Sequence, residues 1–179
     1  AALGCRGGHG GFVRSLRFQV SGSCVAIDSL LYNKAYDRGF LMFDELHEEC
    51  GVFGCYHIPD AASMTYYGLH SLQHRGQEAS GIAAEHDGEI TVLKGRGLTV
   101  DVFRKPELAS LEGVNAIGHV RYSTAGGAEA ANIQPIVSHS SRLGDVAVAH
   151  NGQIVNEKEL RRELEEKGAI FQGTSDSEV

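Results

Sequence analysis

The chain has 179 residues, of which 42% are hydrophobic and 22% are charged, and this balance predicts one soluble domain with a hydrophobic core. The formal charge of −7 is unevenly spread, because residues 1–41 carry +3 and the remainder carries −10. An acidic main body argues against nucleic acid as the principal partner. No stretch approaches about 18 consecutive apolar residues and none resembles a secretory signal, so we expect no membrane span, free thiols and a cytoplasmic protein.

The composition changes near residue 42. Residues 1–41 show no clear hydrophobic period, whereas regular patterns follow Met42. Two interpretations stay open for residues 1–41: sequence from outside the native domain (a fusion, a linker or an over-extended start), or a genuine flexible extension.

The first regular elements favour strands that pair locally, with helices against them. In chain order the patterns predict a strand at Cys50–Ile58, a helix at Ala61–Arg75 capped by Gly76, and paired strands at Ala79–Glu85 and Glu89–Lys94. The Asp87-Gly88 pair between the last two strands is a strong hairpin signal.

The second half continues in the same way. We expect strands at Ala116–Tyr122, Pro135–His139 and Asp145–His150, a helix at Asn156–Lys167, and a further helix start at Thr174-Ser175-Asp176. Asn156 is placed to cap the helix that Gly168 ends. Adjacent strands joined by short turns predict an α+β layered domain with antiparallel pairing rather than a Rossmann fold. The glycines at Gly95 and Gly97 do not form a P-loop.

Cys50 is the first candidate for chemistry. A cysteine in an apolar strand is more often a small buried hydrophobic residue than a nucleophile. The surrounding residues 48–54, Glu-Glu-Cys-Gly-Val-Phe-Gly, nevertheless resemble the processing site of class II glutamine amidotransferases, which are N-terminal-nucleophile (Ntn) hydrolases. The resemblance implies an αββα sandwich of antiparallel sheets flanked by helices. It also implies that residues 42–49 are a propeptide and that Cys50 becomes the first residue of the mature chain.

A cysteine at a chain start suits this chemistry. A thiol with a pKa of about 8.5 is only a few per cent thiolate at neutral pH. The free α-amine, with a pKa of about 7.7–8.0, can accept and return the thiol proton near working pH. Nucleophile and base then belong to one residue, and no histidine partner is needed.

Further motifs resemble the same family in the same order. The segment 118–124, Gly-His-Val-Arg-Tyr-Ser-Thr, resembles the strand and loop that receive the substrate carboxylate. The resemblance implies that Arg121 binds that carboxylate with a planar two-pronged contact, and that Tyr122 and Thr124 belong to the substrate-binding set. Taken alone, Arg121 is typical of a surface arginine after a strand.

Two more segments complete the set. Asn151-Gly152 resembles the family's oxyanion hole, in which one such donor typically accounts for roughly 100–1,000-fold in rate. Asp176 stands where the family binds the α-amine of glutamine. Alone, the first is a turn dipeptide and the second a helix cap. Arg75 either orders the Cys50 region or is a structural cation at a helix end. No residue is assigned to a metal.

The motif Leu-Gln-His-Arg-Gly-Gln at residues 72–77 resembles sequences of the amidophosphoribosyltransferase branch. Residues 121–126 and 132–135 resemble the same branch. That branch implies release of ammonia from glutamine, with phosphoribosyl pyrophosphate converted to phosphoribosylamine in purine synthesis. It also implies a homo-oligomer, and a phosphoribosyltransferase domain with Mg²⁺ and, in some members, an iron–sulfur cluster, none of it in this chain.

The domain at 50–179 is expected to be incomplete at its C-terminal end. Two alternatives remain: another class II amidotransferase, such as the glucosamine-6-phosphate synthase type, or an inactive regulatory fragment.

Overall fold

The structure is a computed structural model that describes residues 50–122, 130–142 and 144–179, together with the backbone of strands at 13–20 and 23–30. The helices and strands are β1 (Val13–Val20), β2 (Ser23–Leu30), β3 (Gly51–Cys55), α1 (Ala61–Ser71), β4 (Ala79–His86), β5 (Glu89–Arg96), α2 (Thr99–Val102), α3 (Lys105–Ala109), β6 (Asn115–Arg121), β7 (Ile136–Ser140), β8 (Gly144–Asn151) and α4 (Glu157–Glu166). Short 3-10 turns cover Gln73–Arg75, Ala130–Asn132 and Asp176–Glu178.

The strands form two four-stranded sheets. The first has the order β3-β6-β4-β5 and is antiparallel throughout. The second has the order β1-β2-β8-β7, in which β2 and β8 run parallel and the other neighbours antiparallel. The predicted α+β fold with antiparallel sheets is confirmed, and the β2–β8 pair is its one parallel contact among the described strands. No strand was expected within residues 1–41, because their sequence shows no clear period.

Small residues let the two sheets approach each other. The core between the sheets contains four buried residues, Ala83, Ile117, Ala147 and Ala149. Helix α1 covers the opposite face of the first sheet, where Leu69 packs with Ile82 and Val120 in a second core. This arrangement holds the ends of β6 and β8 side by side, where the candidate site lies.

Local turn chemistry explains several boundaries. Asp87 and Gly88 both have positive φ, 51° and 89°, which is the conformation of a tight hairpin turn. Gly168 has φ 92°, and the N–H groups of Gly168 and Ala169 donate to the carbonyls of Glu165 and Leu164, which ends α4 with a Schellman motif.

Two expected caps are wrong. Gly76 does not cap a helix, because α1 ends at Ser71 and Gly76 is extended with φ −161°. A Cβ at Gly76 would lie 2.7 Å from the backbone of Val120 and Arg121, so its role is close backbone approach. Asn156 precedes α4, but its side chain makes no capping hydrogen bond.

Candidate active site

A cavity of about 740 Å³ opens where the ends of β6 and β8 meet the segment before the last 3-10 turn. Its lining includes six of the residues singled out from sequence: Cys50, Arg121, Tyr122, Asn151, Gly152 and Asp176. They come from segments far apart along the chain, and the two-sheet fold brings them to one place. Thr124 and the expected propeptide, residues 42–49, lie outside the described residues.

Cys50 immediately precedes β3 and is half-buried, with a positive φ of 41°. Its Sγ lies 3.5 Å from the backbone nitrogen of Tyr122 and 3.7 Å from the carbonyl oxygen of the same residue. The carbonyl oxygen of Cys50 accepts hydrogen bonds from Arg75 Nε at 2.8 Å and from Asn151 Nδ2 at 3.2 Å. Arg75 therefore reaches Cys50 through its backbone.

Arg121 is the last residue of β6. Its Nη1 is buried and has no hydrogen-bond partner among the residues that the structure describes. A buried charged donor without a partner is costly, and an anion in the cavity would offset that cost. The guanidinium is thus suited to bind a carboxylate there.

Asn151 and Gly152 stand at the end of β8. Gly152 has φ 153°, a backbone conformation that strains other residues. Asn151 Nδ2 donates to the carbonyl oxygen of Cys50, so a side-chain donor lies beside the backbone of the candidate nucleophile. An N–H donor beside a nucleophile can stabilise charge that develops on the attacked carbonyl.

Asp176 begins the last 3-10 turn, with 19% of its side chain exposed. Its Oδ2 accepts a hydrogen bond from the backbone nitrogen of Ile154 at 2.7 Å. Its Oδ1 lies 3.9 Å from His150 Nδ1. These contacts hold a carboxylate at the cavity wall, where it can bind a cation.

Sequence reasoning assigned no site role to four residues that also line the cavity: His119, Asn132, Gln134 and His150. Asn132 Oδ1 accepts hydrogen bonds from the backbone nitrogens of Thr174 and Ser175, at 2.9 and 3.1 Å. The Asn-Ile-Gln-Pro motif at residues 132–135 indicates the family branch. Nothing local in that motif predicts contact with the loop at Thr174, 42 residues further along the chain.

His119 is buried on β6 with 1% of its surface exposed. Burial, and secondarily the nearby Arg121 charge, lower the pKa of His119 from 6.5 to about 3. The imidazole is therefore neutral at any ordinary working pH and adds no positive charge next to Arg121.

Acidification is expected to destabilise the fold through His119. Since the folded pKa is lowered, the unfolded chain takes up a proton below about pH 6.5 whereas the folded chain does not, so stability falls as the pH drops towards 3. From about pH 7 to about pH 5 the loss is about 2 kcal/mol. Urea unfolding at both pH values should show that His119→Gln removes this part of the slope. Equal slopes in wild type and His119→Gln would contradict the assignment.

The part of the chain that the structure describes contains few side chains placed to ligate a metal ion. No group of three or more His, Cys, Asp or Glu side chains there could hold a metal ion. The two described cysteines, Cys50 and Cys55, lie at opposite ends of β3. They do not fit an iron–sulfur cluster, which requires several thiolates at one point.

Known proteins are similar to this chain in both sequence and fold. A family model described as a glutamine amidotransferase domain matches residues 119–179. The amidophosphoribosyltransferase of Bacillus subtilis (strain 168) is 52% identical over 134 residues, which are 75% of this chain and 28% of the relative. Amidophosphoribosyltransferase 3 (chloroplastic) of Arabidopsis thaliana is 50% identical, over 76% of this chain and 25% of its own length. Residues 119–179 thus match a glutamine amidotransferase domain, and about three quarters of the chain is similar in sequence to part of the amidophosphoribosyltransferases.

Solved structures agree with this similarity. One described as the allosteric regulatory enzyme of purine biosynthesis superposes with a TM-score of 0.67 at 50% identity, over 71% of this chain and 27% of that one. The B. subtilis glutamine phosphoribosylpyrophosphate amidotransferase, complexed with ADP and GMP, gives a TM-score of 0.64 at the same identity and coverage. The chain thus spans about a quarter of the length of these amidophosphoribosyltransferases. None of the described helices is long and apolar enough to cross a membrane.

Proposed function

We propose that this chain is the glutamine-hydrolysing part of an amidophosphoribosyltransferase, with Cys50 as the nucleophile. The observation that carries the proposal is the cavity, which is lined by Cys50, Asn151 and Arg121 together. Such a set can attack an amide, stabilise the oxyanion and bind a carboxylate.

Glu49 precedes Cys50 in the sequence, so cleavage of that bond is needed to release the α-amine. The amine then takes the thiol proton, and Sγ attacks the side-chain amide carbon of glutamine. The C–N bond breaks and ammonia leaves with a proton from the amine, which gives a γ-glutamyl thioester. Water hydrolyses the thioester to glutamate and restores the thiol.

The remaining residues have separate roles in this proposal. Asn151 Nδ2 and the backbone N–H of Gly152 stabilise the oxyanion in both steps. Arg121 binds the α-carboxylate of glutamine and Asp176 binds its α-amine, while Tyr122 and Thr124 border the substrate. Arg75, through its 2.8 Å bond to the carbonyl of Cys50, orders the nucleophile.

The whole reaction extends beyond this chain. We propose that the ammonia reacts with phosphoribosyl pyrophosphate at a phosphoribosyltransferase domain, where Mg²⁺ serves, to give phosphoribosylamine in the first committed step of purine synthesis. We expect such an enzyme to form a homo-oligomer and to bind no nucleic acid. Its nucleophile works as a thiol, which the reducing cytoplasm preserves.

N-terminal sequencing of the protein purified from cells, combined with a glutaminase assay, tests the proposal. A chain that starts at Cys50 and releases ammonia from glutamine is the expected result. A chain in which Glu49 still precedes Cys50, with no reaction towards a glutamine-like electrophile, would favour an inactive regulatory fragment instead. Stimulation by a sugar phosphate rather than by phosphoribosyl pyrophosphate would indicate another class II amidotransferase.

A further inference from the structure

Gln134 bridges two walls of the cavity. The side chain is buried, with 8% of the residue surface exposed. Its Oε1 accepts a hydrogen bond from the backbone nitrogen of His150 at 2.6 Å, and its Nε2 donates to Ser177 Oγ at 3.1 Å. Both ends of one amide group are therefore engaged with different segments of the chain.

The two hydrogen-bond partners of Gln134 are sequence neighbours of two proposed site residues with different roles. His150 directly precedes Asn151, the oxyanion donor, and Ser177 directly follows Asp176, the α-amine ligand. His150 Nδ1 also lies 3.3 Å from Ser177 Oγ, which closes a triangle of three contacts around Gln134. The triangle thus links the end of β8 to the last 3-10 turn.

Gln134 is itself fixed to the first sheet. Lys94 Nζ donates hydrogen bonds to the carbonyl oxygens of Ile133 at 2.7 Å and Pro135 at 3.4 Å, on either side of Gln134. A Cβ at Gly81 on β4 would overlap the carbonyl oxygen of Gln134, so the backbones lie in close contact. The bridge therefore has a rigid base.

We propose that Gln134 is a positioning residue that sets the distance between the oxyanion donors and the α-amine site. The role rests on the proposed glutaminase function. A substrate gains from both sites only if its amide carbonyl and its α-amine fit that distance at once. Gln134 therefore determines how strongly the enzyme prefers glutamine over a substrate that lacks the α-amine.

The test compares kcat/KM for L-glutamine and for glutaramate, which is glutamine without its α-amine, in the full-length enzyme released at Cys50. Gln134→Met keeps the length of the side chain and removes both hydrogen bonds. We expect the glutamine-to-glutaramate ratio to fall about tenfold, the worth of one charge-assisted contact. Ser177→Ala, which removes one arm of the bridge, should lower the ratio in the same direction but by less.

The ratio does not depend on how much of the enzyme is folded. Asn115→Leu serves as the matched control, since Asn115 is a similarly buried amide on β6 that bonds Glu85 and the backbone of His57 instead of the cavity. It should leave the ratio unchanged. A Gln134→Met enzyme in which both kcat/KM values fall equally, as in a merely destabilised fold, would overturn the proposal.

Hydrogen exchange provides a readout that is independent of activity. We expect the amide of His150 to lose protection in Gln134→Met, and unchanged protection would also overturn the proposal. If the wild-type enzyme hydrolyses neither substrate, the proposed glutaminase function fails. The exchange result then still decides whether the bridge exists.

Discussion

Cys50→Ala is expected to lower glutamine hydrolysis by roughly 10⁵-fold or more, as for other nucleophile deletions. Alanine removes the sulfur that forms the thioester, whereas the backbone contacts of the Cys50 carbonyl with Arg75 and Asn151 can persist. The measurement is ammonia and glutamate release by the enzyme that starts at residue 50. Labelling by a glutamine-like electrophile should disappear with the activity.

Cys55→Ala is the matched control for this experiment. Cys55 lies at the far end of β3 and is buried, with 8% of its surface exposed. Removing its thiol costs some packing but no chemistry, so activity should stay within about threefold once the folded fraction is matched. Glutamine hydrolysis retained by Cys50→Ala, or lost equally in Cys55→Ala, would refute the assignment of the nucleophile.

Asn151→Leu is expected to lower kcat by about 100–1,000-fold, with a much smaller change in KM. Leucine has the same branched arrangement of heavy atoms and no N–H, so the oxyanion loses one of its two proposed donors while the substrate ends still bind Arg121 and Asp176. Steady-state kinetics with glutamine separate the two parameters. The loss should also slow labelling by the electrophile without abolishing it, because the Cys50 thiol is still present.

Asn115→Leu, the same replacement at a buried amide outside the cavity, controls for Asn151→Leu. It should lower stability and leave kcat of the folded enzyme unchanged. A rise in KM with kcat unchanged in Asn151→Leu would mean that Asn151 binds the ground state of glutamine rather than its oxyanion.

The sequence alone determined the local elements. The β4–β5 hairpin is predictable because Asp87-Gly88 favours positive φ at both turn positions, and the β7–β8 pair and α4 follow from periodicity and Gly168. The order of the motifs is enough to indicate Cys50, Arg121, Asn151 and Asp176 as candidate site residues. Such features depend on a few neighbouring residues, and a local pattern records them directly.

Only the tertiary structure decided which side chains meet. Asn151 contacts Cys50 across 101 residues, and Gln134 reaches Ser177 across 43. No local period encodes such pairs, since they depend on the strand order β3-β6 in one sheet and β8-β7 in the other. The helix cap expected at Gly76 is wrong for the same reason, because the backbone of β6 that requires a glycine there belongs to a strand about 45 residues further along the chain.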